Sequence, residues 1–555
     1  MSNWYFADFE TTSVTESCKK VKVYLWGVVK GEEQFQGENI ESFIEFCEKT
    51  KGVMWFHNLK FDSSFILDYL LRNDIKFSIL EKNGVIYSLK FFKIEIRDTL
   101  NFLNITLKEI GEKFCSVYKK GSLEDYAVPY NHVATQEEKD YNILDCLVLQ
   151  EGFNNFLSSL EKVLEEAQAF NTIKKIPKKL TIAGLSFEAF KELSNFDKCC
   201  PKTNHNQYEF MKEAYKGGYV YSKPCGILEN IKMIDANSMY PYVYATKKLP
   251  IGKPIYLNTW EELNKFDFYI VKIRICYELK KGYIPIIGGG VSRYTTNNYK
   301  SSSNGEFEEI TVCNIDLERI KRYYDCEIIL GGGCAFETKK EFYKNYADIF
   351  IKMKNTYGKN DIHRQVSKYL LNSPYGKLAM NGFQEIKQWK IGKDDWVIGE
   401  VVGYSLEDES YKYLPQAIAI TAYAREHLLN TAEKIGFENV YYMDTDSIKF
   451  RGELKGLWLD DNELGAWKLE GEPTYFKTIA PKKYVYYENE KLFYTCAGFG
   501  KNILTEVLKH NCKVTNEEAI NYINKFEYGL TLNCLQSRMV QGGRALIETI
   551  KEIRR

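Results

Sequence analysis

The sequence predicts a multi-domain protein in which an α/β domain is followed by an α+β domain assembled from distant pieces. Three observations predict it. At 555 residues the chain exceeds the size at which a single hydrophobic core stops growing, and its 45% hydrophobic content supplies several cores. In the first third, strand-like and helix-like patterns alternate, the rhythm of an α/β domain. Beyond it, two strand patterns that each end on acids, Lys232 to Ile234 and Val440 to Met443, stand far apart with other patterns inserted between them.

Taken in order, Trp4 to Phe9, Val21 to Val28 and Val53 to Phe56 read as strands. Helical patterns begin at Glu41, run from Ser63 to Leu71, and run from Gln136 to Leu157, which closes the domain. Lys174 to Lys179, interrupted by Pro177, reads as a linker and sets a boundary near residue 175. Residues 247 to 342 are too many for a plain connection and include a strand pattern at Tyr269 to Tyr277. The triple glycines Gly288 to Gly290 and Gly331 to Gly333 lack the lysine-threonine pair of a phosphate loop and read as turns. Glu385 to Ile391 and Trp396 to Val402 are strand-like around a turn at Gly392 to Asp395, a protruding hairpin.

Composition excludes little but bounds the setting. With 75 basic and 75 acidic residues the chain is neutral, so a nucleic-acid ligand has to be held by local basic surfaces. Fourteen cysteines without a C-x-x-C pair argue against zinc sites and a disulfide scaffold and fit a reducing cytoplasm. No basic leader precedes the first strand, and no apolar run approaches a membrane span. The 41 tyrosines are what an AT-rich coding sequence produces, and a stacking role is kept only for those inside motifs.

The first chemistry-bearing cluster is acidic. Asp8 and Glu10 lie two apart on a strand and therefore on one face. Asn58 and Asp62 are four apart, as are Tyr141 and Asp145, a spacing that aligns each pair on a helix. Each pair alone is an ordinary solvated face. Together, four carboxylates with an amide and a tyrosine form a set able to hold two divalent cations roughly 4 Å apart. Oxygen donors without Cys or His select magnesium or manganese, and phosphodiester hydrolysis is the natural chemistry.

The second cluster is split. Asp235 ends an apolar strand before a turn into a helix, which sets its carboxylate beside backbone N–H groups able to meet a triphosphate. Asp444-Thr445-Asp446 sits at the tip of a hairpin, where paired acids repel unless a cation lies between them. Between these, Arg364, Lys368, Asn372 and Tyr375 fall at i, i+4, i+8 and i+11, one stripe of a helix whose cations suit phosphates and whose ring suits sugar or base. Pro374 should strain or end that helix just before Tyr375.

In these motifs the chain resembles the protein-primed family B DNA polymerases of small linear-genome bacteriophages. Asp8 to Glu10, Asn58 to Asp62 and Tyr141 to Asp145 match the three motifs of a DnaQ-like 3′-5′ exonuclease. Asp235, the K-x-x-x-N-S-x-Y-G run from Lys368 to Gly376, and Asp444-Thr445-Asp446 match motifs A, B and C of the palm and fingers, in order. The resemblance implies an RNase H-like exonuclease domain at 1–175 and then a right-hand polymerase. Its parts would be palm at 176–246, a first terminal-protein region insertion at 247–342, fingers at 343–380, a second insertion at 381–411, palm at 412–515 and thumb at 516–555.

It further implies a role for each site residue. Asp8, Glu10, Asp62 and Asp145 would hold exonuclease metals, with Tyr141 orienting water or phosphate. Asp235 and Asp446 would bridge two ions in the palm, the Ala236 carbonyl adding a ligand and Asp444 lying close by. Lys354, with Lys352 competing, would join Arg364, Lys368, Asn372 and Tyr375 on the incoming nucleotide, and Tyr240 would pack under its sugar. Contact with DNA would fall to Asn58, Thr99 and Leu100 for single-stranded primer, and Lys120, or the equally placed Lys119, would support the exonuclease reaction. Tyr215, Gly217 and Gly218 of the Y-x-G-G element would meet the template, Thr421 and Arg425 of the T-x-x-A-R element would contact DNA, and Lys482 and Tyr484 of the K-x-Y element would meet the primer end. The implied cofactors are two Mg2+ or Mn2+ ions per active site. The implied partners are DNA template and primer, dNTPs and a terminal protein acting as primer, with no membrane, for a monomer in the cytoplasm of an infected host cell. Two other readings are a DNA-primed repair-type polymerase and a catalytically silent DNA-binding factor; seven intact acids argue against the second.

Overall fold

The computed structural model describes residues 3–16, 18–121, 127–288, 299–358, 361–380, 383–406 and 412–554. The N-terminal part is built on a seven-stranded mixed sheet. Trp4–Thr11 lies near its centre, antiparallel to Val23–Lys30 and parallel to Gly52–Phe56, which in turn runs parallel to Ile94–Asp98. Apolar side chains from both faces of the central strand are buried, so helices must cover the sheet on both sides. One cover is Leu59–Arg72. The other is Gln136–Glu166, which starts on a capping box: Thr135 accepts the Glu138 N–H at 3.2 Å and Glu138 accepts the Thr135 N–H at 2.7 Å.

That 31-residue helix does more than close a domain. Its buried Phe153, Phe156 and Leu160 belong to a core that continues without a break through Leu185, Val243, Leu370 and Ile418. The segment read as a linker is accordingly no free tether. Ile176–Lys178 forms a short 3-10 turn with Ile176 buried, and Lys175 and Lys179 both pair with Glu188, at 2.6 and 2.8 Å. Pro177 supports that turn, and its carbonyl accepts a hydrogen bond from Arg97 at 2.7 Å.

The second catalytic region is a five-stranded antiparallel sheet in the order Trp467–Gly471, Ile231–Ala236, Ser447–Arg451, Val440–Asp444, Val220–Ser222. Helix Leu414–Ile435 packs against it and against Met239–Thr246, which in turn packs on Lys344–Thr356 and Ile362–Asn372. Residues 248 to 340 form a separate four-stranded sheet centred on Phe268–Leu279 and Tyr324–Lys340. Here Gly331 to Gly333 is not a turn. It lies inside the 17-residue strand Tyr324–Lys340, at a register shift, where a Cβ on Gly333 would stand 2.6 Å from the Ile270 carbonyl oxygen and Gly332 has φ +113°. Gly288 pairs with Tyr299, while Gly289 and Gly290 lie outside the described residues.

The expected hairpin is present as Phe383–Ile391 and Val397–Leu406, with its turn between them. Trp389, Ile391 and Val397 seat it on the core of the N-terminal domain. Its tip is clasped: Arg72 donates to the Asp395 carboxylate at 2.9 Å and to its carbonyl at 3.0 Å, and Gln541 also bonds the Asp395 carboxylate. Gln541 joins the strands Thr531–Val540 and Gly543–Glu552, whose Val540 and Ala545 enter the same N-terminal core. Among the described residues no helix is long and apolar enough to cross a membrane.

Candidate active sites

The first acid cluster assembles from three elements. Asp8 and Glu10 project from one face of Trp4–Thr11, Asp62 from the first turn of Leu59–Arg72, and Asp145 from Gln136–Glu166. Burial pushes Asp8 well above the usual carboxylate range, and the charges of Glu10, Asp62 and Asp145 push it further. Burial followed by the charge of Asp145 lifts Glu10 to about 7. Asp62 and Asp145 are likewise raised, by burial first. Four acids that raise one another are a site short of positive charge.

The nearest cation is Lys120, whose ammonium bonds Asp145 and lies over the Tyr141 ring, 5.0 Å from its centroid. Lys119, its rival in the sequence, is spent on the carbonyls of Gly111 and Cys115 at 2.7 and 2.6 Å. The cluster opens into a cavity of about 680 Å3 whose walls include Asn58, Leu100, Lys120 and Asp145. Asn58 adopts a left-handed backbone (φ +68°) at the helix start without capping it, so its amide stays free toward the cavity.

Thr99 is 0% exposed, donates to the Phe56 carbonyl at 3.0 Å and meets His57 Nδ1 at 2.9 Å, so it supports the cavity wall from behind. Asp98 beside it is also structural, accepting the N–H groups of Asn58, Leu59 and Leu100 at 3.0, 3.1 and 2.9 Å. A residue the motif reading passed over is Asn142, fully buried, which bonds the Asp8 carbonyl at 3.3 Å and lowers the Glu10 carboxyl. Its place one residue after Tyr141 carried no signal of its own.

The second cluster forms where two strands meet. Asp235 pairs across the sheet with Ser447, and Ser447 with Asp444 on its other side. Thr445 takes a left-handed backbone (φ +57°), and the tight turn is held by the Asp446 N–H on the Asp444 carbonyl at 2.6 Å. The Ala236 N–H donates to the Asp446 carbonyl at 2.7 Å, so motifs on strands remote in sequence are stitched at their ends. Burial and then Asp446 raise Asp235 to about 7, and burial and then Asp444 raise Asp446. Lys482 bonds the Asp444 carboxylate.

Around this centre the nucleotide candidates converge. Ile362–Asn372 ends before Pro374, as proline demands, and Tyr375 opens a short 3-10 turn. Its ring stacks on Tyr240 with centroids 3.9 Å apart. Lys354 bonds Arg364 through its carbonyl, and burial followed by the charges of Arg364 and Lys368 lowers its ammonium pKa, whereas Lys352 is exposed. Asn372 returns its amide to the Lys368 carbonyl at 2.9 Å. Among the described residues no acid pairs with these three cations, which suits an anion such as a triphosphate.

The Y-x-G-G loop packs directly on the acid turn, since a Cβ on Gly218 would stand 2.2 Å from Thr445 Oγ1. Tyr215 lies by Tyr375, and Gly217 faces open space. Thr421 and Arg425 are buried supports, as Thr99 is. Thr421 is 1% exposed and bonds within its own helix. Arg425 is 6% exposed, donates to the carbonyls of Lys216 and Gly217 at 2.5 and 2.8 Å, and pairs with Asp316 at 2.6 Å. It holds the loop's shape and lines a cavity with Tyr215, Gly217 and Gly218. Asp316, from the inserted sheet region, is thus a supporting residue that no motif flagged.

Tyr484 stands beside Tyr442, rings 4.8 Å apart, and Lys449 lies against both. Lys449 too was passed over, although strand periodicity sets it on the same face as Ser447. The donor sets at both centres fit divalent metal: all oxygen, buried carboxyls held above their usual range, among them Asp8, Glu10, Asp235 and Asp446, and an Asp145 Oδ1 that is buried without a hydrogen-bond partner. Among the described residues no three acids, histidines or cysteines converge into a ready metal cage, and a lysine sits against one acid in each centre.

The family model described as "DNA polymerase type B, organellar and viral" matches residues 44–135 and 124–453. The DNA polymerase of Bacillus phage phi29 is 28% identical over 92% of this chain and 94% of its own length. That of Streptococcus phage Cp-1 is 26% identical over 100% of this chain and 99% of its own. The solved phi29 DNA polymerase complexed with primer-template DNA and incoming nucleotide superposes with a TM-score of 0.84, at 25% identity, over 99% of this chain and 100% of that one.

Proposed function

Because the chain belongs to the organellar and viral type B DNA polymerases, and so synthesises DNA on a template, we propose that it also removes 3′-terminal nucleotides at a second, separate site. The observation that carries this is the Asp8, Glu10, Asp62 and Asp145 cluster. It is buried in its own sheet, apart from Asp235, Asp444 and Asp446, and has its own cavity. Magnesium or manganese bound at each centre, two ions in each, would activate the attacking oxygen and stabilise the leaving one.

The chain's own residues do the rest. Lys354, Arg364 and Lys368 hold the triphosphate, and Tyr240, braced by Tyr375, fills the space beneath the sugar. Lys482 and Tyr484 meet the primer end, and Tyr215 with Gly217 and Gly218 meets the template. The primer 3′ hydroxyl attacks the α-phosphorus, and the bond to the β-phosphate breaks to release pyrophosphate. In the exonuclease centre Asn58 and Leu100 guide a single strand in, while Tyr141 and Lys120 orient the scissile phosphate. Initiation uses a hydroxyl of a terminal protein docked on residues 247–342, and the hairpin Phe383–Leu406 narrows the path so that synthesis itself displaces the downstream strand. This activity is exercised in an infected cell.

Separable variants test the two-site reading. Asp8→Ala with Glu10→Ala should abolish 3′-5′ degradation of labelled single strands while leaving primed extension near normal. Asp444→Ala or Asp446→Ala should lower extension by about a hundredfold or more and spare degradation. Equal loss of both activities in either variant would sink it. Labelled dNTP transfer to a candidate terminal protein, with and without residues 247–342, tests the priming assignment.

A further inference from the structure

Lys449 is a lysine where the fold has little reason to keep one. It is 7% exposed, in the middle of Ser447–Arg451, one pleat behind the row formed by Asp235, Ser447 and Asp444. Its cross-strand neighbours are Tyr442 on one side and Met233 on the other. Its ammonium makes one hydrogen bond, with Ser447 Oγ at 3.4 Å, and lies 5.0 Å from the Tyr442 ring centroid and 4.8 Å from that of Tyr484. Among the described residues it has no ion-pair partner. A methionine or leucine would fill this space without the cost of burying a charge.

The two rings it touches are not neutral bystanders. The Tyr442 hydroxyl donates to the Asp444 carboxylate at 3.2 Å and accepts the Lys482 N–H at 3.1 Å. Tyr484 belongs to the same short strand pair as Lys482 and packs on Tyr442. One cation therefore sits behind the acid turn and behind the K-x-Y element at once: burial lowers its ammonium to about 8, while the negative faces of both rings and the charges of Asp444, Asp235 and Asp446 hold it charged at neutral pH. Lys482 differs in kind. Its side chain is 49% exposed and bonded to Asp444 directly, so an arriving primer end or metal can displace it. Lys449 touches no acid and has nowhere to go.

We propose that Lys449 is a positioning residue for synthesis: a fixed counter-charge that locks Tyr442 and Tyr484 together, and so sets Asp444 and the primer-contacting tyrosine in one register before any metal arrives. The inference rests on the reading of Asp235, Asp444 and Asp446 as the synthetic centre. If the wild-type chain fails to extend a primer, that reading falls; if it extends and Lys449→Met is indifferent, only the present inference falls.

The test uses the full chain with Lys449→Met and Lys449→Arg. Primer-template affinity is read by fluorescence anisotropy in EDTA, so that no divalent ion contributes. Steady-state extension with magnesium gives kcat and the KM for dNTP, and single-strand degradation and the melting midpoint report the rest of the fold. Lys449→Met should weaken primer-template binding in EDTA severalfold and lower kcat about tenfold, with KM for dNTP changed less than twofold and degradation unchanged. Lys449→Arg, which keeps the charge and stacks on rings, should recover most of both losses. Wild-type binding and kcat in the Met variant, or equal loss in Met and Arg variants, would overturn the proposal. Should Lys449→Met fail to fold, Lys449→Gln takes its place in the same comparison.

Discussion

At the scale of single residues, Tyr240 is the position where packing and specificity meet. Its ring is clamped face to face on Tyr375 at 3.9 Å, so it cannot swing aside for a bulkier sugar. Tyr240→Val should lower discrimination against ribonucleotides by about tenfold or more, as read by competition between dNTP and rNTP in primer extension. Unchanged discrimination would place the gate elsewhere. A second residue-scale expectation concerns protons. Burial lifts Glu10 from its ordinary 4.5 to about 7, so the folded chain binds that proton more tightly than the unfolded chain. Its stabilising contribution is complete below pH 4.5 and is lost as pH rises through 7. In EDTA, the melting midpoint of the wild type relative to Glu10→Gln should fall between pH 5 and pH 8; a flat difference would contradict the assignment. These acids were legible in the sequence because metal chemistry fixes both residue type and spacing. The burial of Thr99, Thr421 and Arg425 was not legible, because a motif records which residue stands at a position and not whether it is buried there.

At the scale of elements, the hairpin Phe383–Leu406 was visible as two alternating runs around a polar turn, since a strand period of two survives in any sequence with one wet face. What holds it was not visible. Lys387 and Lys390 pair with Glu81 and Glu400, while the tip depends on Asp395 meeting Arg72 and Gln541. Asp395→Ala removes the two carboxylate bonds, keeps the Arg72 bond to the backbone carbonyl, and leaves the apolar seat of Trp389 and Val397 intact. Exposed pairs of this kind are each worth about 0–1 kcal/mol. The variant should therefore fold normally and lose extension into a downstream duplex a fewfold, more so at high salt, on a primed circle. Full displacement at all salt concentrations would show that the clasp is dispensable. The glycines at 331 to 333 and the lysines at 174 to 179 were misplaced for a shared reason. Gly, Lys and Pro clusters mark irregular backbone, but a bulge inside a strand and an anchored 3-10 turn are irregular too.

At the scale of the whole molecule, a division into successive domains captures the order of the motifs better than the energetics. One core runs from Phe153 through Val243 to Ile418, and another unites Phe65 with Val397 and Val540. Removing residues 531–555 should thus lower the melting midpoint of the N-terminal sheet region, read by hydrogen exchange in the strand Val23–Lys30, and not merely that of the C-terminal hairpin. Unchanged protection there would mean the contact is ornamental. The contact itself is close: the Val21 N–H donates to the Gln541 carbonyl at 3.1 Å, and Gly543 leaves room for the Phe65 ring, which a Cβ would approach to 2.3 Å. This bears on how the chain is made. A ribosome adding about 5–20 residues each second needs roughly half a minute to two minutes to travel from Val21 to Ala545. Once Ile94–Asp98 has been made the first domain has its sheet but not its full cover, and Phe65 waits beside an open edge until Ala545 follows. The nascent protein is open to premature association over all of that later interval, and slow translation anywhere between these two points should cost soluble protein.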